Sequence, residues 1–344
     1  MKSDPASKAD IQSAGDIDPK LLDEQMADFA RDYQQLCRSV EQVIIGHRRI
    51  VEMTIVSMLA GGHVLLEGVP GLGKTLLVKT LARLLDLHMS RISFTPDLMP
   101  ADIIGSHILL TDESGNRRLQ FQPGPIFGNL ILADEINRAA PKTQSALLEA
   151  MNEQTVTVGR EQHKLPRPFF VLATQNPIEM EGTFPLPEAQ LDRFMMKLCV
   201  THLTGGDLMQ VIAGVPDETS PVPIFDPVRL SEMQALSRHV LIAPEVLSSA
   251  ASLLEATHGE SSRASGRIKK YVRLGCSPRS GRHLLACARV VALAAGRTWV
   301  AGADIGAVAG AVLSHRLLLN YEAIADQISA SELIDELIET LRIN

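Results

Sequence analysis

The stretch Gly61-Gly-His-Val-Leu-Leu-Glu-Gly-Val-Pro-Gly-Leu-Gly-Lys-Thr75 constrains this chain more than any other. Val64-Leu-Leu66 is an apolar run of strand character, the Gly/Pro-rich middle must turn, and a helical pattern runs from Lys74 to Leu85. A G-x-x-x-x-G-K-[ST] segment between strand and helix is where a backbone loop wraps a polyphosphate. Gly68, Gly71 and Gly73 admit backbone angles closed to other residues, so N–H groups can point inward at an anion. Lys74 adds a point charge, the helix that follows offers unpaired amides, and the Thr75 hydroxyl suits the Mg²⁺ of a nucleoside triphosphate. The whole run from Gly68 through Val69, Pro70, Gly71, Leu72, Gly73, Lys74 and Thr75 to Leu76 is thus the expected nucleotide cradle.

Around this loop the pattern alternates strands and helices. Leu21, Leu22, Met26, Phe29, Tyr33, Leu36 and Val40 recur at helical spacing after Pro19, and a second helix spans Ile50 to Leu59. Strands are predicted at His88 to Phe94, at Leu130-Ile-Leu-Ala-Asp-Glu135 and at Phe169 to Ala173, with a helix from Pro141 to Met151. Two hairpins interrupt the alternation, near residues 107–121, around Asp112-Glu-Ser-Gly115, and near 155–165, around Gly159. Such an order predicts an α/β fold, a parallel sheet with helices on both faces, whose ligand lies at the carboxyl ends of the strands. The composition changes near Thr204-Gly-Gly206. Past a connector holding Pro216, Pro221, Pro223 and Pro227, the chain turns Ala/Leu-rich, with helices expected at 230–240, 244–254, 278–295, 303–319 and 331–341. Ser261 to Lys270 reads as a loop. The expected organisation is a polar tail at 1–18, a nucleotide-binding core at 19–204 and a small all-α domain at 205–344.

A chain of 344 residues with 45% apolar content can bury two domain cores. Its net charge of −7 and 4% aromatic content advertise neither a phosphate-backbone footprint nor base-stacking platforms, so nucleic acid is not the expected partner. Cys37, Cys199, Cys276 and Cys287 form no C-x-x-C pair and read as core thiols of a reducing compartment. Acidic residues crowd the first eighteen positions where a signal peptide needs an apolar run, and no segment reaches bilayer length. A cytoplasmic protein is expected.

Asp134-Glu135, ending an apolar strand downstream of the loop, supplies the second half of a triphosphatase site. Asp134 is expected to hold Mg²⁺ through water and Glu135 to polarise the attacking water. Asn176, just past a strand, either orients that water or simply initiates an Asn-Pro turn. Arg193 in Leu191-Asp-Arg-Phe194 either pairs with Asp192 or is offered to a neighbour's phosphate, and periodicity does not separate the two. Arg279 follows a Ser277 N-cap and a Pro278 first residue, so it sits in a helical first turn where a cation is unfavourable. That placement suggests an anionic partner.

Taken together, Gly-Val-Pro-Gly-Leu-Gly-Lys-Thr (68–75), Phe-Thr-Pro-Asp-Leu-Met-Pro (94–100), Pro-Gly-Pro-Ile-Phe (123–127), Ala-Asp-Glu-Ile-Asn-Arg-Ala (133–139), Ala-Thr-Gln-Asn-Pro (173–177), Leu-Pro-Glu-Ala-Gln-Leu-Asp-Arg-Phe (186–194) and Ser-Pro-Arg-Ser (277–280) resemble the MoxR family of AAA+ ATPases. The resemblance implies a P-loop core with a helical lid, and ATP with Mg²⁺ as ligands. It makes Lys74 and Thr75 Walker A, Asp134 and Glu135 Walker B, Asn176 sensor 1, Arg193 the arginine finger acting on the adjacent subunit, and Arg279 sensor 2. Ile44, Ile45 and Gly46 fall where such proteins hold adenine. It further implies a hexameric homo-oligomer whose hairpins face the pore, a chaperone-like role on a protein client, and a partner with a von Willebrand factor A domain. The aromatic-hydrophobic-Gly pore loop of threading relatives is absent after the second strand.

Three other readings compete. A P-loop GTPase needs an Asn-Lys-x-Asp motif that this chain lacks, and neither it nor a small-molecule kinase explains Asn176, Arg193 and Arg279 together. A nucleotide-gated binding module has no need of the Glu135 base. A nucleic-acid motor is disfavoured by the acidic balance.

Overall fold

The computed structural model describes residues 19–68, 73–111, 117–177, 182–203, 205–214 and 221–343, with side chains from residue 24 onward. The 1–18 tail, the loop residues Val69, Pro70, Gly71 and Leu72, and the Asp112-Glu-Ser-Gly115 turn lie outside these residues.

The chain enters through α1 (Pro19–Glu41), whose buried Met26, Phe29, Leu36 and Val40 recur every three to seven residues on one face, and α2 (Arg48–Leu59). Then come β1 (Val64–Glu67), α3 (Lys74–Leu84), β2 (Met89–Ser93), α4 (Pro100–Ile104), the hairpin β3 (Gly105–Thr111) and β4 (Arg117–Pro123), and β5 (Leu130–Asp134). After them follow α5 (Pro141–Glu153), the hairpin β6 (Thr155–Val158) and β7 (Glu161–Lys164), β8 (Phe170–Gln175), α6 (Glu188–Leu191) and β9 (Met196–Cys199).

Five of these strands form one all-parallel sheet in the order β2-β5-β8-β1-β9. A period of two divides its side chains between two cores. Leu66, Leu132, Leu172 and Leu198 face the cluster that includes α1, α2 and α3, while Leu65, Ile131, Val171 and Ala173 face the cluster that includes α4 and α5. Each fully buried large apolar side chain contributes roughly 1.5–3 kcal/mol, so a one-residue slip of any strand would forfeit several such terms at once. The two hairpins pack on each other through Phe121, which stacks on His163 with ring centroids 3.9 Å apart.

The remaining elements are α7 (Gly205–Ala213), α8 (Pro227–Ser237), α9 (Pro244–Ala256), α10 (Gly266–Tyr271), β10 (Val272–Leu274), α11 (Pro278–Ala294), α12 (Gly302–Leu313), β11 (Leu318–Leu319), α13 (Tyr321–Ala325) and α14 (Ala330–Thr340). α11 is their hub, packing on α12, α9 and α8 of the lid and on α1 and α2 of the core. Arg229 of α8 reaches Asp32 of α1 at 2.6 Å, a second tie between the two parts.

Three expectations are corrected. The 261–270 loop contains α10, capped where the Ser265 hydroxyl accepts from the Ile268 amide at 3.2 Å. The helix predicted to run to Leu319 stops at Leu313, because Arg316 turns inward to partners in the core and Leu318–Leu319 pairs with β10 as an antiparallel ribbon. Strand β9 was not foreseen, although Met196, Leu198 and Val200 alternate with Lys197 and Cys199. At four residues it was too short to stand out. Among the described residues no helix is long and apolar enough to cross a membrane.

Candidate functional site

At the carboxyl ends of the central strands lies a cleft of about 450 Å³ lined by Gly73, Lys74, Thr75, Leu76, Arg91, Asp134, Glu135, Thr174 and Asn176. Gly73 starts α3 at φ 77°, a left-handed conformation natural to glycine, and its helix has neither a side-chain cap nor an acidic residue in the first turn. The amides of that turn are therefore left for an outside acceptor. Lys74 Nζ donates to the Gly68 carbonyl, which ties it to the end of β1. Burial pulls the Lys74 pKa down, and the Asp134 and Glu135 carboxylates oppose that shift.

The acidic pair is held by residues that sequence reasoning missed. Thr174 is 1% exposed, and its hydroxyl donates to Asp134 Oδ1 at 2.7 Å while accepting the Glu135 amide at 2.9 Å. Arg91 of β2 donates to Asp134 Oδ2 at 2.5 Å, and Arg138 to Glu135 Oε2 at 2.8 Å. Glu135 itself adopts φ 58°. A side-chain-bearing residue costs roughly 1–2 kcal/mol in that region, so the Thr174 bond and the short 3₁₀ turn Ile136–Arg138 must hold it there. Position was the only available signal: Arg91 alternates outward on β2, and Thr174 precedes Asn176 by two on β8.

Asn176, 5% exposed, lines the same cleft. Ile44 lines a small crevice beside it with His47, Leu66, Gly73, Lys74 and Val200. Ile45 is half-buried next in the chain, and Gly46 at φ 79° abuts Leu203 and Asp207 so closely that a Cβ would collide with both. The two arginines lie elsewhere. Arg279 Nη1 is 3.7 Å from Asp192 Oδ2 and does not line the cleft. Arg193 is half-buried, and among the described residues its side chain has neither hydrogen bond nor ion pair.

The chain is similar to Chaperone MoxR1 of Mycobacterium tuberculosis, 42% identical over 308 residues that cover 88% of this chain and 80% of the relative. The chain belongs to the MoxR family of AAA+ ATPases. Two Protein MoxR relatives agree, at 31% identity in Paracoccus denitrificans (87% of this chain, 92% of the relative) and 30% in Methylorubrum extorquens (93% and 97%). Residues 63–196 match the model of the ATPase family associated with various cellular activities, and residues 264–337 match the AAA lid domain. A crystal structure named for an ATPase of Cytophaga hutchinsonii superposes with a TM-score of 0.85 at 37% identity, covering 93% of this chain and 97% of the other. The AAA+ core with its parallel sheet and helical lid is thus this chain's fold. The lid also carries the short ribbon of β10 and β11 and a parallel bridge between Leu241 and Trp299.

Proposed function

We propose that this MoxR-family protein hydrolyses ATP to ADP and phosphate, with Mg²⁺, at interfaces between its own copies. The convergence of Lys74, Thr75, Asp134, Glu135 and Asn176 on one cleft, with Arg193 outside it and unpaired among the described residues, carries the reading. The residues suit the ligand: an uncapped helix start, a desolvated lysine and a threonine hydroxyl face a carboxylate across a cleft of about 450 Å³. Lys74 and the uncapped amides at the start of α3, from Gly73 to Leu76, hold the phosphates, and Ile44, Ile45 and Gly46 flank the base. Thr75 and, through water, Asp134 would hold Mg²⁺, which would neutralise charge developing on the phosphates. Glu135 accepts a proton from water that Asn176 orients, and Thr174 fixes the backbone from which Glu135 acts. Arg193 reaches the neighbouring copy's nucleotide and contributes about 10³- to 10⁵-fold by analogy with other arginine fingers. Arg279 exchanges its Asp192 contact for phosphate when the lid closes.

In this reading residues 1–18 are a tail, 19–204 the nucleotide-binding core and 205–344 the lid. The ring is a hexamer in the cytoplasm that remodels a protein client, alongside a von Willebrand factor A domain protein. The name of one relative, Chaperone MoxR1, supports the client.

Glu135→Gln is expected to retain ATP and lose phosphate release. Arg193→Ala and Lys74→Ala proteins, each inactive, are expected to regain activity when mixed. Full turnover by Glu135→Gln removes the base from the mechanism, and no recovery in verified mixed assemblies removes the shared site.

A further inference from the structure

Arg316 sits in the turn after α12 with its side chain 3% exposed, and four of its hydrogen bonds go to one short segment of the core. Nε donates to Asp192 Oδ1 at 2.8 Å, Nη2 to the carbonyls of Asp192 at 3.2 Å and Phe194 at 2.6 Å, and Nη1 to the Met195 carbonyl at 3.3 Å. Nη1 also reaches back to the Val312 carbonyl of its own helix. His283 of α11 places Nδ1 2.6 Å from Nη2, and burial together with the neighbouring arginines pushes its pKa down to about 3. A neutral ring accepts from a guanidinium where a charged one could not. His315 adds a further bond from the same turn, Nε2 to the Phe194 carbonyl at 3.2 Å.

These contacts bracket Arg193 on both sides, at Asp192 and at Phe194 and Met195, and all come from the lid of the same chain. Other lid residues reach Asp192 too, Arg279 at 3.7 Å and Ser277 Oγ at 3.5 Å. The Arg193 side chain has no partner of its own among the described residues, so its position is inherited from a backbone that the lid grips. The core holds the same backbone from the other side, with the Met195 amide on the His63 carbonyl at 2.8 Å, so the pull of Arg316 acts on Arg193 against that anchor.

We propose that Arg316 is the positioning residue for Arg193, so that the lid of one copy sets the arginine offered to the nucleotide of the next. The inference rests on the shared-site reading above and adds a direction to it: a chain's own nucleotide state, felt by its lid, is passed forward to the neighbour's turnover. A buried arginine that only glued lid to core would instead act on its own chain's folding and nucleotide binding alike.

Mixing separates the two. Arg193→Ala protein with Lys74→Ala protein defines the recovered rate. Adding Arg316→Met to the Lys74→Ala chain, which supplies the arginine, is expected to cut that recovery at least tenfold. Adding it instead to the Arg193→Ala chain, which supplies the nucleotide site, is expected to leave recovery within twofold. Assembly is verified by sedimentation, and nucleotide retention by a fluorescent ATP analogue. Equal recovery in both arrangements, or equal loss in both, overturns the inference while the shared site stands. Failure of the plain pair to recover overturns both. Should Arg316→Met not fold, Arg316→Lys, which keeps the charge and loses the fork of donors, is run through the same two arrangements with the same expected asymmetry.

Discussion

Thr174→Val is the sharpest test of how Asp134 and Glu135 are held. Valine has nearly the shape of threonine, so the change opens no cavity and the loss is polar. The Thr174 hydroxyl bonds a carboxylate at 2.7 Å and an amide at 2.9 Å, at 1% exposure where water does not substitute. A bond to a charged group contributes roughly 1.5–3 kcal/mol and a neutral one about 0.5–1.5 kcal/mol, which together give about 2–4.5 kcal/mol. Glu135 at φ 58° then loses its restraint against a conformational cost of about 1–2 kcal/mol. If about 2 kcal/mol of the total falls on the placement of the carboxylate, kcat for phosphate release drops roughly 30-fold. The remainder, at most about 2.5 kcal/mol, lowers Tm by no more than about 4 °C in a chain of 344 residues. Initial rates by a coupled phosphate assay, alongside thermal unfolding, read both. Thr174→Ser keeps the hydroxyl and is expected to keep kcat within about threefold. The reasoning is refuted if Thr174→Val releases phosphate within threefold of the parent while its Tm falls, for the bonds would then be structural only.

Arg91, with its side chain 53% exposed, contributes under about 1 kcal/mol of stability through its ion pair, yet it occupies an Asp134 oxygen. Arg91→Ala is expected to leave Tm nearly unchanged and lower the Mg²⁺ concentration for half-maximal ATPase about threefold; an increase means Arg91 assists the metal site. Gly46→Ala, at φ 79° against Leu203 and Asp207, is expected to weaken retention of a fluorescent ATP analogue at least tenfold, and unchanged retention would remove this turn from the base site. Buried His63 donates through Nε2 to the Met151 carbonyl and accepts the Val171 amide at Nδ1, 3.0 Å away, an arrangement open only to the neutral ring. Burial lowers its pKa from the ordinary 6.5 to about 4, so the unfolded chain takes the proton first. Stability from this group is complete above pH 6.5 and is lost as pH falls from 6.5 toward 4. The Tm advantage over His63→Gln should shrink between pH 7 and pH 5, and a constant gap contradicts it.

Long periodic segments were legible because burial repeats over many residues. The spacing of Met26, Phe29, Leu36 and Val40 and the apolar run of β5 announce their partners without knowledge of the rest. The strand β1, the start of α3 and the carboxylates that end β5 were legible because their signals are local, each lying within one short stretch of sequence. Thr174 and Arg91 were not, since each earns its role from a strand that comes from another part of the chain. Thr174 and Asp134 lie 40 residues apart and meet only once β8 pairs with β5. β9 was too short for its alternation to be counted, and the end of α12 depends on what Arg316 finds outside its own helix.

The same distinction bears on one half of a choice that periodicity left open, whether Arg193 pairs with Asp192. Arg193 and Asp192 are neighbours, and nothing within Leu191-Asp-Arg-Phe194 decides whether they pair. In the folded chain the Asp192 carboxylate is already claimed, by Arg316 at 2.8 Å and Arg279 at 3.7 Å, both from the lid. A surface ion pair is worth at most about 1 kcal/mol, whereas the buried guanidinium of Arg316 would cost several if left unpaired, so Asp192 goes to the group that needs it most. Arg193 is left with its charge unspent because Arg316, 124 positions after Asp192, has taken that neighbouring carboxylate. A cation becomes available to a neighbouring molecule through what satisfies the groups around it, and that is decided by the fold.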